Sequence, residues 1–425
     1  MATAEELVNR WIVNAFEQGA SDIHIEPDKN DKIRVRVRLD GSLKTIETVP
    51  DGRRIMSRLK VMAELDLNEK GVPMDGRIDV AKNLQSCAGL SIRLSTLPCT
   101  QGEKAVLRLV DNRRLNMTLD QLGFTQKMYA AYGPLVDSPH GLILHVGPTG
   151  SGKTTSLYSV LQTLKKKDVN IQTVENPVEY DVFGVTQTQV NHELGLSFPK
   201  VLRALLRQDP DVILVGEIRD TETAEIAVEA AMTGHLVLST LHTNDAVGTV
   251  VRLHDMGVAP FCIAYALRCV VSQRFVRMLC EKCKRSVQPP ERVVKVTGSN
   301  RPIWQAQGCN ACQRSGYKGR VPLFEFLPNS AAFRTAIYGS VTPDVLGDVA
   351  AKNGLISLWQ DGLDKVHQGM TSLEELLRAV KGVREASPVR QPARPRVPLA
   401  PPRRPGAPPS GARPSGGAPR PARKA

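Results

Sequence analysis

The segment 147–155 reads Gly-Pro-Thr-Gly-Ser-Gly-Lys-Thr-Thr and matches the phosphate-binding pattern G-x-x-x-x-G-K-[ST]. An apolar run, GLILHV, precedes it and a helix-compatible run follows, which is the context that the motif requires. Glycines there let backbone N–H groups converge on phosphates at a helix N-terminus. Lys153 is then expected to reach the β and γ phosphates and Thr154 to coordinate Mg²⁺. A chance glycine-rich turn is the alternative. The predicted phosphate-binding residues are Gly147, Pro148, Thr149, Gly150, Ser151, Gly152, Lys153, Thr154 and Thr155.

Acidic and histidine side chains follow other apolar runs in the same part of the chain. Glu217 ends the run beginning at Asp211 and is expected to hold Mg²⁺ or orient a water, with a merely solvated acid as the alternative. Glu175 follows a strand candidate and is a candidate base for the attacking water. His235 and His242 flank another strand and are candidate γ-phosphate sensors, although a lone histidine is more often structural.

Four cysteines form two C-x-x-C pairs separated by 25 residues: Cys280, Cys283, Cys309 and Cys312. Such pairs can supply four thiolates to a tetrahedral Zn²⁺, and no open ligand position is suggested. The expected metal is therefore structural, while a disulfide pair or unrelated buried cysteines are the alternatives. Arg77 and Arg93 lie in the N-terminal part of the chain. They are candidate catalytic residues only if that part packs over a nucleotide, where an arginine can stabilise the charge of the transferring phosphoryl group.

The net charge of +13 is concentrated at one end of the chain. Residues 383–425 hold ten Arg or Lys and one acid, leaving only +4 for the remainder. This Pro- and Arg-rich tail is predicted to be disordered and could contact anionic lipid or nucleic acid. No stretch approaches the roughly 18 apolar residues of a membrane span, and the first residues lack a secretory pattern. Any membrane association is therefore expected to run through a partner.

The elements that must position these residues divide the chain into an α+β part and an α/β part. Period-two alternation in Lys32 to Leu39, followed by Asp40-Gly41, predicts a small antiparallel sheet. Apolar strand candidates alternate with helical stretches after about Met117, which predicts a mostly parallel buried sheet. The predicted domains are an N-terminal domain (1–112), a nucleotide-binding domain (117–275), a tetracysteine subdomain (276–322), a helical region (323–382) and the tail (383–425).

Together, these residues resemble the secretion ATPases of type II secretion and type IV pilus assembly, the GspE/PulE/PilB family. The resemblance covers about residues 1–380 and rests on several motifs in the family order. They are ASDIHIEP (20–27), GPTGSGKTT (147–155), VENPVEY (174–180), LRQDPDVILVGEIRD (206–220), GHLVLSTLHTNDA (234–246), the tetracysteine segment and GYKGR (316–320).

The resemblance implies a PAS-like N-terminal domain joined to a RecA-like ATPase domain, with nucleotide between domains of a homohexamer. It implies Glu217 as the Walker B acid, Glu175 in the aspartate box, and the segments around His235 and His242 as the histidine box. Arg77 and Arg93 match arginines that reach nucleotide from the first domain. The implied activity is hydrolysis of ATP with Mg²⁺ in the cytoplasm, pushing on an inner-membrane platform protein to extend a pilus or pseudopilus.

Three features depart from the family pattern. Asn176 stands where the family usually has an aspartate, which removes one carboxylate from the aspartate box. The chain begins almost at the family's second N-terminal domain, so its docking mode is not fixed by the resemblance. The basic tail is not a family feature. The phosphate-loop motif and the net positive charge support the alternative of a DNA-translocating or DNA-binding ATPase. Against that alternative, most of the positive charge lies in the tail and the first domain has no interleaved aromatics for base stacking.

Overall fold

A computed structural model describes residues 2–69, 71–84, 87–111 and 117–380. The predicted disordered tail, 383–425, lies outside the described residues. Within the described chain, no helix is both long and apolar enough to cross a membrane.

The N-terminal part is built on a six-stranded sheet in which all neighbouring strands are antiparallel. Its strand order is β3-β2-β1-β6-β5-β4. Along β2, Ile33, Val35 and Val37 are buried while the arginines between them occupy the opposite face, because successive side chains of a strand alternate. The strands are β1 (Asp22–Asp28), β2 (Lys32–Leu39), β3 (Ser42–Val49), β4 (Met74–Ile78), β5 (Leu90–Cys99) and β6 (Gly102–Asp111).

Helices cover the apolar face of this sheet. The first helix opens with a capping box in which Thr3 and Glu6 each accept a backbone N–H of the other residue. Its buried stripe, which includes Trp11 and Ile12, joins the core of the sheet. The helix is therefore amphipathic, with its apolar stripe on the sheet. The helices are α1 (Ala4–Glu17), α2 (Gly52–Met62) and α3 (Val80–Asn83).

A seven-stranded sheet forms the centre of the rest of the chain, in the order β15-β12-β7-β11-β10-β8-β9. All of its pairs are parallel except β12 with β15. Four of its strands are buried throughout, as expected for a parallel sheet with helices on both faces. Its strands are β7 (Gly141–Val146), β8 (Ile171–Glu175), β9 (Thr186–Gln189), β10 (Val212–Val215), β11 (Leu236–Leu241), β12 (Leu267–Leu279) and β15 (Tyr317–Pro328); β13 (Arg285–Val287) and β14 (Ile303–Gln305) pair separately.

The helices of this part pack around the central sheet and beside the cysteine pairs. Ser372 acts as a helix N-cap, because its Oγ accepts the backbone N–H of Glu375 at 3.3 Å. The helices are α4 (Gln126–Val136), α5 (Lys153–Leu164), α6 (Phe198–Leu205), α7 (Thr221–Met232), α8 (Ala246–Asp255), α9 (Pro260–Ala266), α10 (Glu291–Thr297), α11 (Ala331–Gly339), α12 (Pro343–Lys352), α13 (Leu358–His367) and α14 (Leu373–Val380), with 3₁₀ turns at Leu119–Leu122 and Asn310–Cys312.

Candidate nucleotide and metal sites

The loop between β7 and α5 has the backbone of a phosphate cradle. Gly147, Gly150 and Gly152 all have positive φ, at 140°, 76° and 91°, which disfavours residues with a Cβ. A Cβ on Gly147 would lie 2.4 Å from the carbonyl oxygen of Gln273, so β12 closes one side of the loop. Helix α5 begins at Lys153, and its unpaired first N–H groups face the loop. The loop therefore fits a nucleotide phosphate chain.

Lys153 lies inside this loop rather than in solvent. Its Nζ donates to the carbonyl oxygens of Gly147 at 2.8 Å and Pro148 at 3.2 Å. Burial lowers the pKa of Lys153, while the carboxylate of Glu217 acts in the opposite direction. Ser151 Oγ is also buried, and within the described part of the chain it has no hydrogen-bond partner. A buried cation and an unpaired hydroxyl at a helix N-terminus suit an anionic oxygen ligand.

Glu217 and His242 lie together at the carboxyl ends of β10 and β11. The Nε2 atom of His242 is 3.4 Å from Glu217 Oε2, and Nε of Arg219 is 2.7 Å from the same oxygen. Only 12% of the Glu217 side chain is exposed, against 49% for His242. The strands β7, β11 and β10 are neighbours, so these groups share an edge with the phosphate loop. Such an edge is where parallel α/β sheets bind ligands.

Glu175 is buried at the end of β8, and three donors hold its carboxylate. Thr173 Oγ1 donates to Oε1 at 2.6 Å, Gln187 Nε2 donates to Oε1 at 3.2 Å, and the Tyr158 hydroxyl donates to Oε2. Burial, together with the adjacent Glu175 carboxylate, raises the pKa of Tyr158 far above its usual range, so that hydroxyl stays a donor. A carboxylate offers about four lone-pair sites, and these three donors occupy three of them.

The structure separates His235 from this group. His235 precedes β11, whereas His242 follows it, so the six residues of the strand lie between them. At about 3.3 Å per residue this amounts to roughly 20 Å. The Nδ1 atom of His235 instead contacts the carbonyl oxygen of Ala230 at 3.0 Å. Of these two histidines, His242 is therefore the one that lines the cleft with the phosphate loop.

Arg77 and Arg93 contact the segment that follows Glu175. Both guanidinium groups donate to the carbonyl oxygen of Val178, at 3.2 and 3.3 Å. Arg93 also forms an ion pair with Glu179 at 2.7 Å. Among the described residues, neither arginine lines the cleft above the phosphate loop. They join the two sheets beside the nucleotide site.

The four paired cysteines form one cluster, as the sequence predicts. Their sulfur atoms lie within 4.8 Å of one another, with 3.9 Å between Cys280 and Cys309 and 3.8 Å between Cys283 and Cys312. Tetrahedral zinc with Zn–S bonds of about 2.3 Å requires sulfur separations near 3.8 Å. Backbone N–H groups of Cys309 and Gly316 donate to Cys312 Sγ at 3.1 and 3.2 Å, which favours a thiolate. The donor set therefore fits a metal ion.

The phosphate loop, Glu175, Glu217 and His242 line one large cleft of about 1550 Å³, whereas Arg77, Arg93 and His235 do not. The loop, Glu175, Glu217 and His242 form one wall, and residues of the first sheet form another. Sequence reasoning singled out none of five further lining residues, because distant segments bring them to the cleft. Arg320 belongs to the GYKGR segment, which could have identified it. The missed residues are Tyr158, Arg219, Gln273, Phe275 and Arg320.

A phosphate loop before a helix, with acids at the carboxyl ends of β10 and β8 in the same parallel sheet, defines a P-loop ATPase. Comparison with known proteins agrees, since residues 1–378 match the protein-family model described as "Type II/IV secretion system protein". The chain belongs to this family of secretion ATPases. Its predicted fold class is confirmed: a RecA-like α/β core, a PAS-like N-terminal part with an antiparallel sheet, and a small cysteine-cluster module.

Several named relatives support the assignment. The chain is 44% identical over 384 residues to "Type IV pilus assembly ATPase PilB" of Thermus thermophilus, covering 88% of this chain and 43% of that protein. It is also 44% identical to "Type II secretion system ATPase E" of Vibrio cholerae, covering 88% and 75%. "Protein transport protein HofB homolog" of Escherichia coli K12 is 46% identical, covering 88% and 81%. The chain thus spans less than half of the first relative and about three quarters of the second.

Solved structures show the same fold. A crystal structure of the pilus retraction motor PilT with bound ADP has 27% identity and a TM-score of 0.59, covering 88% of this chain and 96% of that one. The ATPase DotB of Legionella pneumophila has 21% identity and a TM-score of 0.62, covering 88% and 95%.

Proposed function

We propose that this chain hydrolyses ATP to ADP and phosphate. The proposal rests above all on one arrangement: the buried Lys153, the ion-paired Glu217 and His242 line the same cleft at the ends of adjacent strands. Membership of a family of named ATPases supports it.

Different residues of the cleft are proposed to bind the phosphates and the magnesium ion. Backbone N–H groups of the loop and the Lys153 ammonium hold the β and γ phosphates. Lys153 then exchanges its two carbonyl acceptors for phosphate oxygens. The Thr154 hydroxyl and the Glu217 carboxylate would hold Mg²⁺, which would neutralise charge on the phosphates. Glu217 keeps its orientation through Arg219 and His242.

The chemical step needs a positioned water and an acceptor for its proton. Glu175 is the proposed base: three donors fix its carboxylate, and the remaining lone pair accepts the proton of the water. The water oxygen forms a bond to the γ-phosphorus, and the bond from that phosphorus to the β–γ bridging oxygen breaks. ADP leaves with that electron pair. His242 lies beside Glu217, where it can contact the departing phosphate.

The proposed role is that of a motor. We infer a cytoplasmic homohexamer that acts on an inner-membrane platform protein to assemble a type IV pilus or a type II secretion pseudopilus. The names of the relatives support this, since they include both pilus-assembly and secretion ATPases. The γ phosphate of ATP makes contacts that ADP cannot make. These contacts can shift the orientation of the first sheet.

The cysteine cluster is proposed to bind one structural Zn²⁺ within the proposed subdomain 276–322. Four thiolates complete a tetrahedral shell, so no ligand position remains for catalysis. The short strands β13 and β14 and helix α10 offer little core of their own, and a metal would compensate for this.

The test is Mg²⁺-dependent release of phosphate by the purified full chain, with sedimentation used to measure the oligomer. Phosphate release that survives removal of Mg²⁺ would contradict the assigned chemistry. A chain that stays monomeric with a slowly hydrolysed ATP analogue would contradict the hexamer. Copurification with neighbouring membrane proteins then tests the platform partner.

A further inference from the structure

A row of charged side chains crosses the first sheet on the face opposite its buried core. The strand registers place Arg77 beside Arg93, Arg93 beside Arg108, Arg108 beside Asp22, and Asp22 beside Arg38. Directly opposite residues of antiparallel strands point to the same face. Five neighbouring strands therefore present four guanidinium groups and one carboxylate side by side.

Both ends of this row are fixed to the central sheet. At one end Arg77 and Arg93 donate to the carbonyl oxygen of Val178, just beyond β8. At the other end the turn after Arg38 contacts β15, where Asp40 Oδ2 accepts the backbone N–H of Gly319 at 3.0 Å. The row thus runs along the edge of the central sheet from β8 to β15.

The distances along the two sheets agree with this alignment. Four strand spacings separate Arg77 from Arg38, or roughly 19 Å at about 4.8 Å per spacing. Five spacings separate β8 from β15, or roughly 24 Å. Arg108, at the centre of the row, is therefore expected above β7 and β11, whose ends carry the phosphate loop and His242. Consistently, Asp22, Arg38 and Arg108 line the same cleft as Lys153.

The charges of the row are only partly balanced. Glu179 pairs with Arg93, and Asp22 is shared between Arg38 at 3.6 Å and Arg108 at 3.5 Å. Like charges on adjacent strands destabilise a sheet unless an anion offsets them. The Arg108 side chain is 61% exposed, and within the described residues its Nε donates to Asp22 Oδ1 at 3.5 Å. Its terminal nitrogens remain available to an anion in the cleft.

We propose that Arg108 binds the phosphate chain of the nucleotide held by the loop, with Asp22 as the residue that positions its guanidinium. This inference rests on the proposed ATPase function. It adds a third arginine to Arg77 and Arg93, which the family resemblance already associates with nucleotide. Arg108 offers two parallel N–H donors, the geometry that suits phosphate oxygens.

The experiment measures the affinity of the full chain for a slowly hydrolysed ATP analogue with Mg²⁺ by calorimetry. Arg108→Gln is expected to weaken binding by roughly tenfold or more, because a charge-assisted hydrogen bond to phosphate is lost. Arg108→Lys should recover part of this loss. The matched control is Arg34→Gln, on the same sheet face and paired with Glu26 at 3.2 Å, which should bind like the parent.

The positioning role of Asp22 is tested with a double-mutant cycle. Asp22→Asn should raise the KM for ATP severalfold in the parent, yet add little in an Arg108→Gln background, since its effect acts through Arg108. Independent losses in the two backgrounds would contradict the positioning role. Unchanged thermal unfolding midpoints exclude a loss of fold.

The variant Lys153→Ala distinguishes a failure of this inference from a failure of the proposed function. If Lys153→Ala loses affinity while Arg108→Gln binds like the parent, the role of Arg108 is wrong and the ATPase assignment stands. If Lys153→Ala itself binds like the parent, the nucleotide site is wrong. Equal losses in Arg108→Gln and Arg34→Gln would show only a general charge effect and would also overturn the role of Arg108.

Discussion

Replacement of Lys153 by alanine is the most direct perturbation of the proposed site. The ammonium is buried and already contacts two oxygen acceptors at once, at 2.8 and 3.2 Å, which is the geometry needed to contact two phosphate oxygens. Hydrogen bonds that involve a charged group contribute about 1.5–3 kcal/mol each. Two such contacts correspond to about 3–6 kcal/mol, or roughly 10²–10⁴-fold in kcat/KM.

The fold should survive this change. Alanine removes a donor from two loop carbonyls, but it also removes a cation whose burial is unfavourable, and burial lowers the pKa of Lys153 for the same reason. Because these two effects oppose each other, we expect the unfolding midpoint to move by no more than about 4 °C.

The assay is phosphate release at saturating and subsaturating ATP, with thermal unfolding measured on the same samples. Lys166→Ala is the control, since Lys166 is an exposed lysine just beyond the end of the same helix. The reasoning is refuted if purified Lys153→Ala hydrolyses ATP like the parent. A loss of activity shared by Lys166→Ala would also refute it.

Three further predictions concern other parts of the chain. Cys312→Ser should lower the zinc content and the unfolding midpoint, as read by metal analysis and calorimetry, and a metal-free but fully folded parent would contradict the zinc site. Burial raises the pKa of Glu325 to about 7, so the folded state keeps a proton that the unfolded state releases from its ordinary value of 4.5. Stability should therefore fall between about pH 5 and 7, by up to roughly 3 kcal/mol, and Glu325→Gln should flatten that slope in pH-dependent unfolding. DNA should not stimulate hydrolysis once residues 383–425 are removed, and strong stimulation without them would favour the DNA-motor alternative.

Local sequence was sufficient to predict the sites and strand faces that are built from residues close together in the chain. The nine consecutive residues 147–155 and the apolar run before them predict the phosphate loop, because its N–H groups and its lysine come from one turn and one helix end. The spacing within each C-x-x-C pair predicted the cysteine cluster in the same way, since two cysteines of one knuckle can bind one ion. Alternation along β2 identified its buried face.

Contacts between segments that are distant in the chain were evident only from the folded structure. Sequence analysis treated His235 and His242 as equivalent candidates. In the structure β11 lies between them, so the two histidines are at opposite ends of that strand. The donors around Glu175 come from α5, β8 and β9, and no spacing in the chain links Tyr158 to Gln187. The alignment of Arg108 with its neighbours depends on strand register, which is set by packing of the whole sheet. Contacts of this kind form only when the chain has folded, so local pattern could not reveal them.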